Sequence, residues 1–365
     1  MTTPPGALAG LTVIDLSRVL GGPYATQILA DHGADVLKVE PPQGDETRAW
    51  GPPFRHGASA YFAGVNRNKR GLVLDLKQPA ARDTLLGLLE GADVLVENFR
   101  TGTLEGWGLG ELTARFPRLV HCRVSGFGAD GPLGGLPGYD AAVQALTGLM
   151  SINGAAGGEP VRLGVPAVDM ASGLNAAIGI LMALHERARS GRGQFVDIAL
   201  FDCALSILHP HAANWLGGGA RPGRSGNAHP NIAPYETLPT GRGELFLAVG
   251  NDGQFAKFCT MLGSDLAAAP RFATNPARVE HRVALRTALV ELLAGHEAEP
   301  LAARLMAGGV PAAPVLDVAE ALAHPHTAHR AMVVDGDFPS IASPIKLDRT
   351  PATYRMPPPS FGDPA

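Results

Sequence analysis

Residues 11–40, LTVIDLSRVLGGPYATQILADHGADVLKVE, contain the pattern on which the fold depends. The short apolar run Leu11–Leu16 predicts a buried strand. A Gly-Gly-Pro sequence then breaks this strand, and Pro23 suits the first turn of the helix predicted for Tyr24–His32. The next apolar run, Asp35–Val39, predicts a second strand. The segment therefore has the strand–helix–strand order of an α/β fold.

The same alternation continues through the first third of the chain. A helix is predicted for Ala80–Glu90, and further buried strands are predicted for Leu72–Leu76, Asp93–Glu97 and Leu119–Val124. Repeated alternation of helices with buried strands predicts an α/β layer built on a largely parallel sheet.

The middle of the chain has a longer helical pattern, from about Met170 to Arg189, followed by a strand predicted for Gln194–Leu200. Small residues such as Gly173 occupy the early turns of this helix, so that a neighbouring backbone can approach closely. The stretch Gly217–Asn227 is rich in Gly and Arg and predicts a linker. A strand at Glu244–Val249 and several later helices then predict a second, smaller domain.

The composition argues against several classes of protein. Hydrophobic residues make up 45% and charged residues 18% of the 365 residues, which is typical of a soluble globular protein. The net charge is −4 and no basic block is present, so we expect no nucleic-acid partner. The longest apolar stretch, Ala176–Leu184, is too short to span a bilayer, and Met1–Gly10 lacks the pattern of a signal peptide.

The cysteines predict the compartment. Cys122, Cys203 and Cys259 are odd in number and widely spaced, which argues against a disulfide framework and a zinc site. His209 and His211 flank a proline, but no further ligand pattern accompanies them. We therefore expect a cytoplasmic protein that neither binds a metal nor associates with a membrane.

The ends of two predicted strands carry candidate ligand-binding residues. The first strand–helix turn lacks a G-x-G-x-x-G fingerprint, so it either simply starts a helix or holds a phosphate or adenosine near Arg18. At the end of another strand, Asn98 can hydrogen-bond a polar group, Phe99 can stack on a base and Arg100 can hold a phosphate. A solvated surface loop is the alternative for these three residues.

Asp169 is the candidate nucleophile. It lies just before the predicted long helix, where an Asp commonly serves as an N-cap. The helix dipole would also favour the ionised carboxylate, which a carboxylate nucleophile requires at neutral pH. The two roles are compatible.

Two further motifs have both a functional and a purely structural interpretation. Tyr139-Asp140 is either a catalytic hydrogen-bonding pair or a turn and helix cap. The loop Gly250–Gly253 either covers a site and lends backbone N–H groups to an oxyanion, or is a tight strand–helix connection.

In their order and spacing, these motifs resemble the family III coenzyme A transferases (CaiB/BaiF type), which include formyl-CoA transferase, carnitine-CoA transferase and 2-methylacyl-CoA racemase. The resemblance covers nearly the whole chain, and the stretches Gly226–Tyr235 and Gly250–Phe255 are especially similar to transferases that use succinyl-CoA and dicarboxylic acids. The other matching segments are Leu11–Leu16 with Gly22-Pro23, Gly33–Glu40, Asn68–Arg70, Leu74–Lys77, Glu97–Arg100, Gly138–Asp140, Asp169 with Ser172-Gly173, and Gly191–Gln194.

The resemblance implies an interlocked homodimer in which each chain threads through the other. It also implies a Rossmann-like large domain over 1–216, a linker over 217–227, a small α+β domain over 228–325 and a C-terminal segment, 326–365, that returns to the large domain. Asp169 matches the nucleophile of the family. The residues implied in CoA binding are Arg18, Leu74, Lys77, Asn98, Phe99, Arg100, Tyr139 and Asp140, and those implied in the acyl-site loop are Gly250, Asn251, Asp252 and Gly253.

Some positions depart from the family pattern. Leu20 stands where formyl-CoA transferase has Gln, which argues against a formyl or oxalyl substrate. Gly106 stands where several members have a phosphate-binding Arg, which leaves more of the phosphate binding to Arg100.

The expected activity is transfer of CoA from an acyl-CoA to a free carboxylic acid, with the CoA thioester as substrate and no permanently bound cofactor. A racemase of the same fold is the alternative, but Tyr139 and Asp252 stand where the racemases of this family have His and Glu. A CoA-binding protein without catalysis is a third possibility, against which the intact Asp169 argues.

Overall fold

The computed structural model describes residues 5–362. The ends of two predicted segments, Met1–Gly10 and 326–365, therefore lie outside the described residues. The chain forms two compact units. The first contains residues 5–149, 162–208 and 325–362, and the second contains residues 150–161 and 209–324. Relative to the predicted division, the second unit also takes in 150–161, 209–216 and the predicted linker, and residue 325 belongs to the first unit.

Strands and helices are numbered in the order in which they occur along the chain. The strands are β1 Thr12–Asp15, β2 Asp35–Glu40, β3 Phe54–Arg55, β4 Ala58–Ser59, β5 Lys69–Val73, β6 Val94–Glu97, β7 Val120–Ser125, β8 Phe195–Ala199, β9 Tyr235–Pro239, β10 Glu244–Ala248, β11 Ala312–Pro314, β12 Val333–Val334 and β13 Ser340–Ile341. The helices are α1 Gly21–Asp31, α2 Ala60–Ala63, α3 Pro79–Leu89, α4 Thr103–Gly106, α5 Leu112–Arg115, α6 Asp140–Leu146, α7 Leu149–Ile152, α8 Ala167–Ser190, α9 Leu200–Ser206, α10 His211–Leu216, α11 Asp252–Met261, α12 Asn275–Glu280, α13 Arg282–Leu293, α14 Ala298–Ala307, α15 Val318–Ala323 and α16 Pro325–His329.

The first unit is built on a six-stranded parallel sheet with the order β5-β2-β1-β6-β7-β8. Counted along the chain, these sheet strands stand in the order 3-2-1-4-5-6, which is that of a doubly wound Rossmann fold. The predicted fold class is confirmed. The strand order reverses between β1 and β6, and such a switch point opens a crevice at the carboxyl ends of the strands.

Helices cover both faces of this sheet, because successive side chains along a strand point to opposite faces. Val13 of β1 packs in a cluster with residues of α1 and α8, whereas the adjacent Ile14 packs with Leu85 and Leu89 of α3 on the other face. The predicted role of small residues is clearest at Gly173. A Cβ there would lie 2.7 Å from the carbonyl oxygen of Gly21 and 2.9 Å from the ring of Tyr24, so only glycine lets α8 approach α1 this closely.

α8 is also long enough and apolar enough, by length and composition, to cross a membrane. Part of this apolar character serves the core of the first unit, where Ala176, Ala177 and Ile180 are buried. The helix is longer than predicted at its amino end, because it begins at Ala167 rather than near Met170. Asp169 consequently lies inside the first turn and not before the helix.

The second unit has a three-stranded antiparallel sheet with the order β11-β10-β9. Its core is formed by apolar residues of this sheet and of the helices α11, α13 and α14, among them Leu245, Phe258, Leu289 and Leu305. The strand Tyr235–Pro239 was not predicted, since its sequence lacks a continuous apolar run.

One predicted strand is displaced along the chain. The prediction placed it at Leu72–Leu76, but β5 is Lys69–Val73. The strand begins with a lysine because Lys69 is buried against the carboxylate of Asp15 at 3.0 Å, so its charge is compensated inside the protein. A lysine interrupts the apolar pattern from which a buried strand is predicted, so the start of β5 was not recognised.

Candidate active site

The carboxyl ends of β1, β6 and β7 open into a cleft of about 160 Å³ in the first unit. This is the position that the strand order predicts for a ligand. The cleft is lined by Arg18, Val19, Leu20, Gly21, Glu46, Asn98, Phe99, Arg100, Thr101, Val124, Ser125, Gly126, Leu136, Pro137, Gly138, Tyr139, Asp169 and Leu200. Six of the residues proposed from the sequence therefore meet in one cleft, although they come from four separate segments of the chain.

Two other predicted CoA-binding residues lie elsewhere in the first unit. Leu74 and Lys77 follow β5 and do not line the cleft. Leu74 packs partly buried against the cluster on the α3 face of the sheet, and Lys77 is exposed. Their role in holding the nucleotide stays a prediction.

Asn98 fixes the loop that follows β1. Its Oδ1 accepts a hydrogen bond from the backbone N–H of Arg18 at 2.9 Å, and its Nδ2 donates to the carbonyl oxygen of Arg18 at 2.7 Å. The next residue, Val19, has a φ of +68°, which is costly for a β-branched side chain. The amide of Asn98 thus positions a strained stretch of the cleft wall. Arg18 Nε is buried there without a hydrogen-bond partner.

A buried group of charged residues also holds the loop that follows β1. Lys38 Nζ donates to the carbonyl oxygen of Ser17 at 2.9 Å and to Asp45 at 3.0 Å. Lys69 Nζ donates to Asp15, which in turn accepts from the backbone N–H of Ser17 at 3.0 Å. Burial alone would raise the pKa of Asp15, but the charges of Lys69 and Lys38, together with hydrogen bonds from Ser17 and Thr26, lower that pKa to about 2. No role was predicted for these lysines, although a lysine within an apolar strand is a detectable signal.

Asp169 lies in the first turn of α8, but it does not cap the helix. The cap comes from Asp140, whose Oδ2 accepts hydrogen bonds from the backbone N–H groups of Val168 at 2.8 Å and Asp169 at 3.2 Å. Burial and the charge of Asp140 raise the pKa of Asp169 to about 7. The stabilisation of the ionised form that was expected from the helix terminus is therefore outweighed by desolvation and by a neighbouring carboxylate.

Two tyrosines are close to this pair of carboxylates in different ways. Tyr139 precedes Asp140 and is 59% exposed at the cleft. Tyr61 was not identified from the sequence, and its pKa is raised to about 12 by burial and by the charges of Asp169, Asp140 and Asp45. Its phenol is therefore uncharged at neutral pH.

The predicted acyl-site loop belongs to the second unit. Asn251 caps α11, with its Oδ1 accepting from the N–H of Gln254 at 2.9 Å, and the N–H of Gly250 donates to Gln254 Oε1 at 2.8 Å. Asp252 accepts from the buried Arg278 at 2.7 Å. The loop Gly250–Gly253 is thus an ordered helix start, and its role at the acyl group stays a prediction.

The family model of CoA-transferase family III matches residues 8–364. The chain belongs to this family. Curated relatives that are similar to the chain over almost its full length are named as CoA-transferases, so the chain is a CoA-transferase.

Two of these relatives and one solved structure illustrate the similarity. A protein named succinate–glutarate CoA-transferase from Agrobacterium fabrum is 42% identical, covering 99% of this chain and 94% of the relative. An acetyl-CoA:oxalate CoA-transferase from Acetobacter aceti is 39% identical, covering 94% of this chain and 90% of the relative. The crystal structure of a CaiB/BaiF family protein from Brucella suis is 42% identical with a TM-score of 0.87, covering 98% of this chain and 97% of that one.

Proposed function

We propose that this family III CoA-transferase carries the transferred group on Asp169, moving CoA from an acyl-CoA to a free carboxylic acid. The observation that carries the proposal is the position of this carboxylate. It lies in the cleft at the switch point of the sheet, in the first turn of a long helix, with a pKa raised to about 7 by burial and by Asp140.

In the first half-reaction, ionised Asp169 attacks the carbonyl carbon of the donor thioester. The C–S bond breaks, CoA leaves as a thiolate with the electron pair, and a mixed anhydride remains on Asp169. The thiolate then attacks the aspartyl carbonyl, which releases the donor carboxylate and leaves an aspartyl-CoA thioester. The acceptor carboxylate repeats these steps in reverse and takes the CoA. Covalent catalysis divides one difficult exchange into two easier steps.

The raised pKa of Asp169 suits this role. A more basic carboxylate is a stronger nucleophile, and one with a pKa of about 7 is still about half ionised at neutral pH. The tetrahedral intermediates also need hydrogen-bond donors, each worth about 3–4 kcal/mol. The family resemblance predicts that the loop Gly250–Gly253 supplies such donors through backbone N–H groups other than that of Gly250, which donates to Gln254 Oε1.

The nucleotide of CoA is assigned to the wall formed after β6. The ring of Phe99 packs edge-to-face on Trp107, with 5.4 Å between the ring centroids. The ring is therefore held in place and offers a surface for a base. Arg100 is exposed beside it and can take a phosphate. Arg18 supplies a second cation in the same cleft.

The substrates are proposed from the relatives. The similarity to a succinate–glutarate transferase supports succinyl-CoA as the first donor to test and a dicarboxylate as the first acceptor. Leu20, which is buried in the wall of the cleft, predicts that oxalate is a poor acceptor. Because a relative with 39% identity is named for oxalate, that acid belongs in the same acceptor panel.

The homodimer is proposed from one face of α8. Leu174, Ile178, Leu181 and Met182 recur at helical spacing on this helix and are all exposed. A contiguous apolar face of this kind supports burial against a second copy of the chain. Light scattering that finds a stable folded monomer would contradict the interlocked dimer.

The three free and buried cysteines accord with a cytoplasmic location.

The test of the proposed function is to trap the intermediate. Incubation with succinyl-CoA and no acceptor, followed by mass spectrometry, should add CoA to the peptide containing Asp169, and Asp169→Ala should lose the adduct while remaining folded. Turnover of acyl-CoA without any adduct on this peptide would refute the assignment. In heavy water, deuterium uptake at C2 of a 2-methylacyl-CoA without acyl exchange would favour the racemase instead.

A further inference from the structure

Two carboxylates meet at the start of α8, the buried Asp140 and the partly buried Asp169. Asp140 opens α6, and its Oδ2 accepts the backbone N–H groups of Val168 and Asp169, 28 and 29 residues further along the chain. Pro166 occupies the N-cap position of α8 and contributes no side-chain cap. Asp140 therefore caps, from another segment, the helix that holds the proposed nucleophile.

The other carboxylate oxygen of Asp140 is also held. Gln144 Nε2 donates to Oδ1 at 2.5 Å, and Gln144 Oε1 accepts from the N–H of Leu163 at 2.9 Å. Gln144 is fully buried. With both oxygens fixed, the carboxylate of Asp140 cannot turn away from Asp169.

Neither aspartate is paired with a cation in the described part of the chain. Among the ion pairs of residues 5–362, none involves Asp140 or Asp169. The other charged carboxylate that acts on the neighbouring Tyr61 is Asp45, and this one is paired with Lys38. A carboxylate that only capped a helix would do so equally well with a cation beside it.

We propose that Asp140 is a positioning residue that fixes Asp169 through the helix cap and, by its negative charge, destabilises the free ionised nucleophile so that acylation is favoured. The inference rests on the nucleophilic role proposed for Asp169. When Asp169 attacks the thioester, its charge passes to the leaving thiolate as the C–S bond breaks. Acylation therefore removes the repulsion with Asp140, and release of the free carboxylate at the end of the cycle restores it.

The electrostatics around Asp169 agree with this role. Burial is the largest cause of its raised pKa and Asp140 is the second. The other ionisable groups near this end of the cleft are Tyr61, whose pKa is raised to about 12, and the cleft residues Arg18, Glu46, Arg100 and Tyr139. The charge of Asp140 is thus the neighbouring influence that a single substitution can remove.

The deciding variant is Asp140→Asn, which keeps an oxygen to accept the two N–H groups but loses the charge. The acid limb of the pH profile of kcat should move to lower pH by about one unit, because the pKa of Asp169 falls. The plateau should fall about threefold to tenfold, since the nucleophile is less basic, while KM for succinyl-CoA changes less than about threefold. Asp140→Ser, another neutral capping residue, should show the same displacement if the Asn variant does not fold.

Gln144→Met is the matched control, because it removes the brace and leaves the charge. Its acid limb should stay where the wild-type limb lies, even if its plateau falls. Circular dichroism establishes whether Asp140→Asn and Asp140→Ser are folded. If a folded variant showed no shift in the acid limb of its kcat profile, the electrostatic role of Asp140 would be overturned. Absence of an Asp169 adduct in the wild-type enzyme would instead overturn the proposed function, so the two failures are distinguishable.

Discussion

Both α8 and α11 carry an aspartate in the first turn, and these two helix starts are built in opposite ways. Asp252 of α11 is paired with a buried arginine, and the adjacent Asn251 caps the same helix locally. The α8 start is capped by Asp140 from a distant segment, and Asp169 forms no ion pair among those of residues 5–362. Position at a helix start is therefore shared by a carboxylate that pairs with an arginine and by the proposed nucleophile. The two differ in the charge of the neighbouring side chain, which is Arg278 for Asp252 and Asp140 for Asp169.

The largest expected effect comes from neutralising each aspartate in turn. Asp169→Asn should lower kcat for CoA transfer by at least about a thousandfold, because it removes the proposed nucleophile. Asp252→Asn should lower kcat less than about fivefold, since its carboxylate is paired with Arg278. Steady-state transfer from succinyl-CoA measures both. Equal losses in the two variants would break the comparison.

The next effect tests the structural side of the comparison through Arg278. This guanidinium is fully buried and also donates to the carbonyl oxygens of Ala233 at 2.6 Å and Phe272 at 3.0 Å. Arg278→Met leaves these acceptors unsatisfied and should cost about 3 kcal/mol of unfolding free energy in urea. Arg271→Met, close by in sequence and without any of these bonds in the described structure, is the control and should cost less than about 0.5 kcal/mol. A small loss at Arg278 would mean that the α11 start is not held by this charge.

The sequence predicted the elements that depend on local pattern. The apolar runs located β1, β2, β6 and β7 to within a residue or two, and their alternation with helices indicated the parallel sheet. The cleft followed because parallel strands end at the same edge. Five of the eight residues proposed for CoA line this cleft, together with Asp169.

What the sequence did not predict depends on contacts between distant segments. Nothing near Asp169 indicates that Asp140 caps its helix, since the partner lies 29 residues away. The position of β5 was missed because Lys69 is buried only by virtue of Asp15, which lies 54 residues earlier. The raised pKa of Asp169 has the same origin, because burial and a second carboxylate exist only in the folded chain.

The smallest effect concerns stability, and it follows from the direction of that pKa. The pKa of Asp169 is raised from 3.8 to about 7, so the folded protein keeps this proton where the unfolded chain has released it. The stability associated with the protonated carboxyl is therefore full below about pH 4 and is lost as the pH rises to about 7. A difference of this size corresponds to about 4 kcal/mol, and the partial exposure of the side chain reduces the expected effect to about 2 kcal/mol.

Asp169→Asn should consequently be more stable than the wild-type protein by about 2 kcal/mol at pH 8.5 and by only about 1 kcal/mol at pH 4.5. Urea unfolding at the two pH values measures this difference. Asp252→Asn is the matched control. It weakens a charge-assisted hydrogen bond to Arg278, so it should not stabilise the protein at either pH. If the ionised carboxylate of Asp169 destabilises the folded protein, the gain in unfolding free energy of Asp169→Asn should grow as that carboxylate ionises. If Asp169→Asn gained nothing at pH 8.5, the strain assigned to the two aspartates would be absent, and the two helix starts would be alike after all.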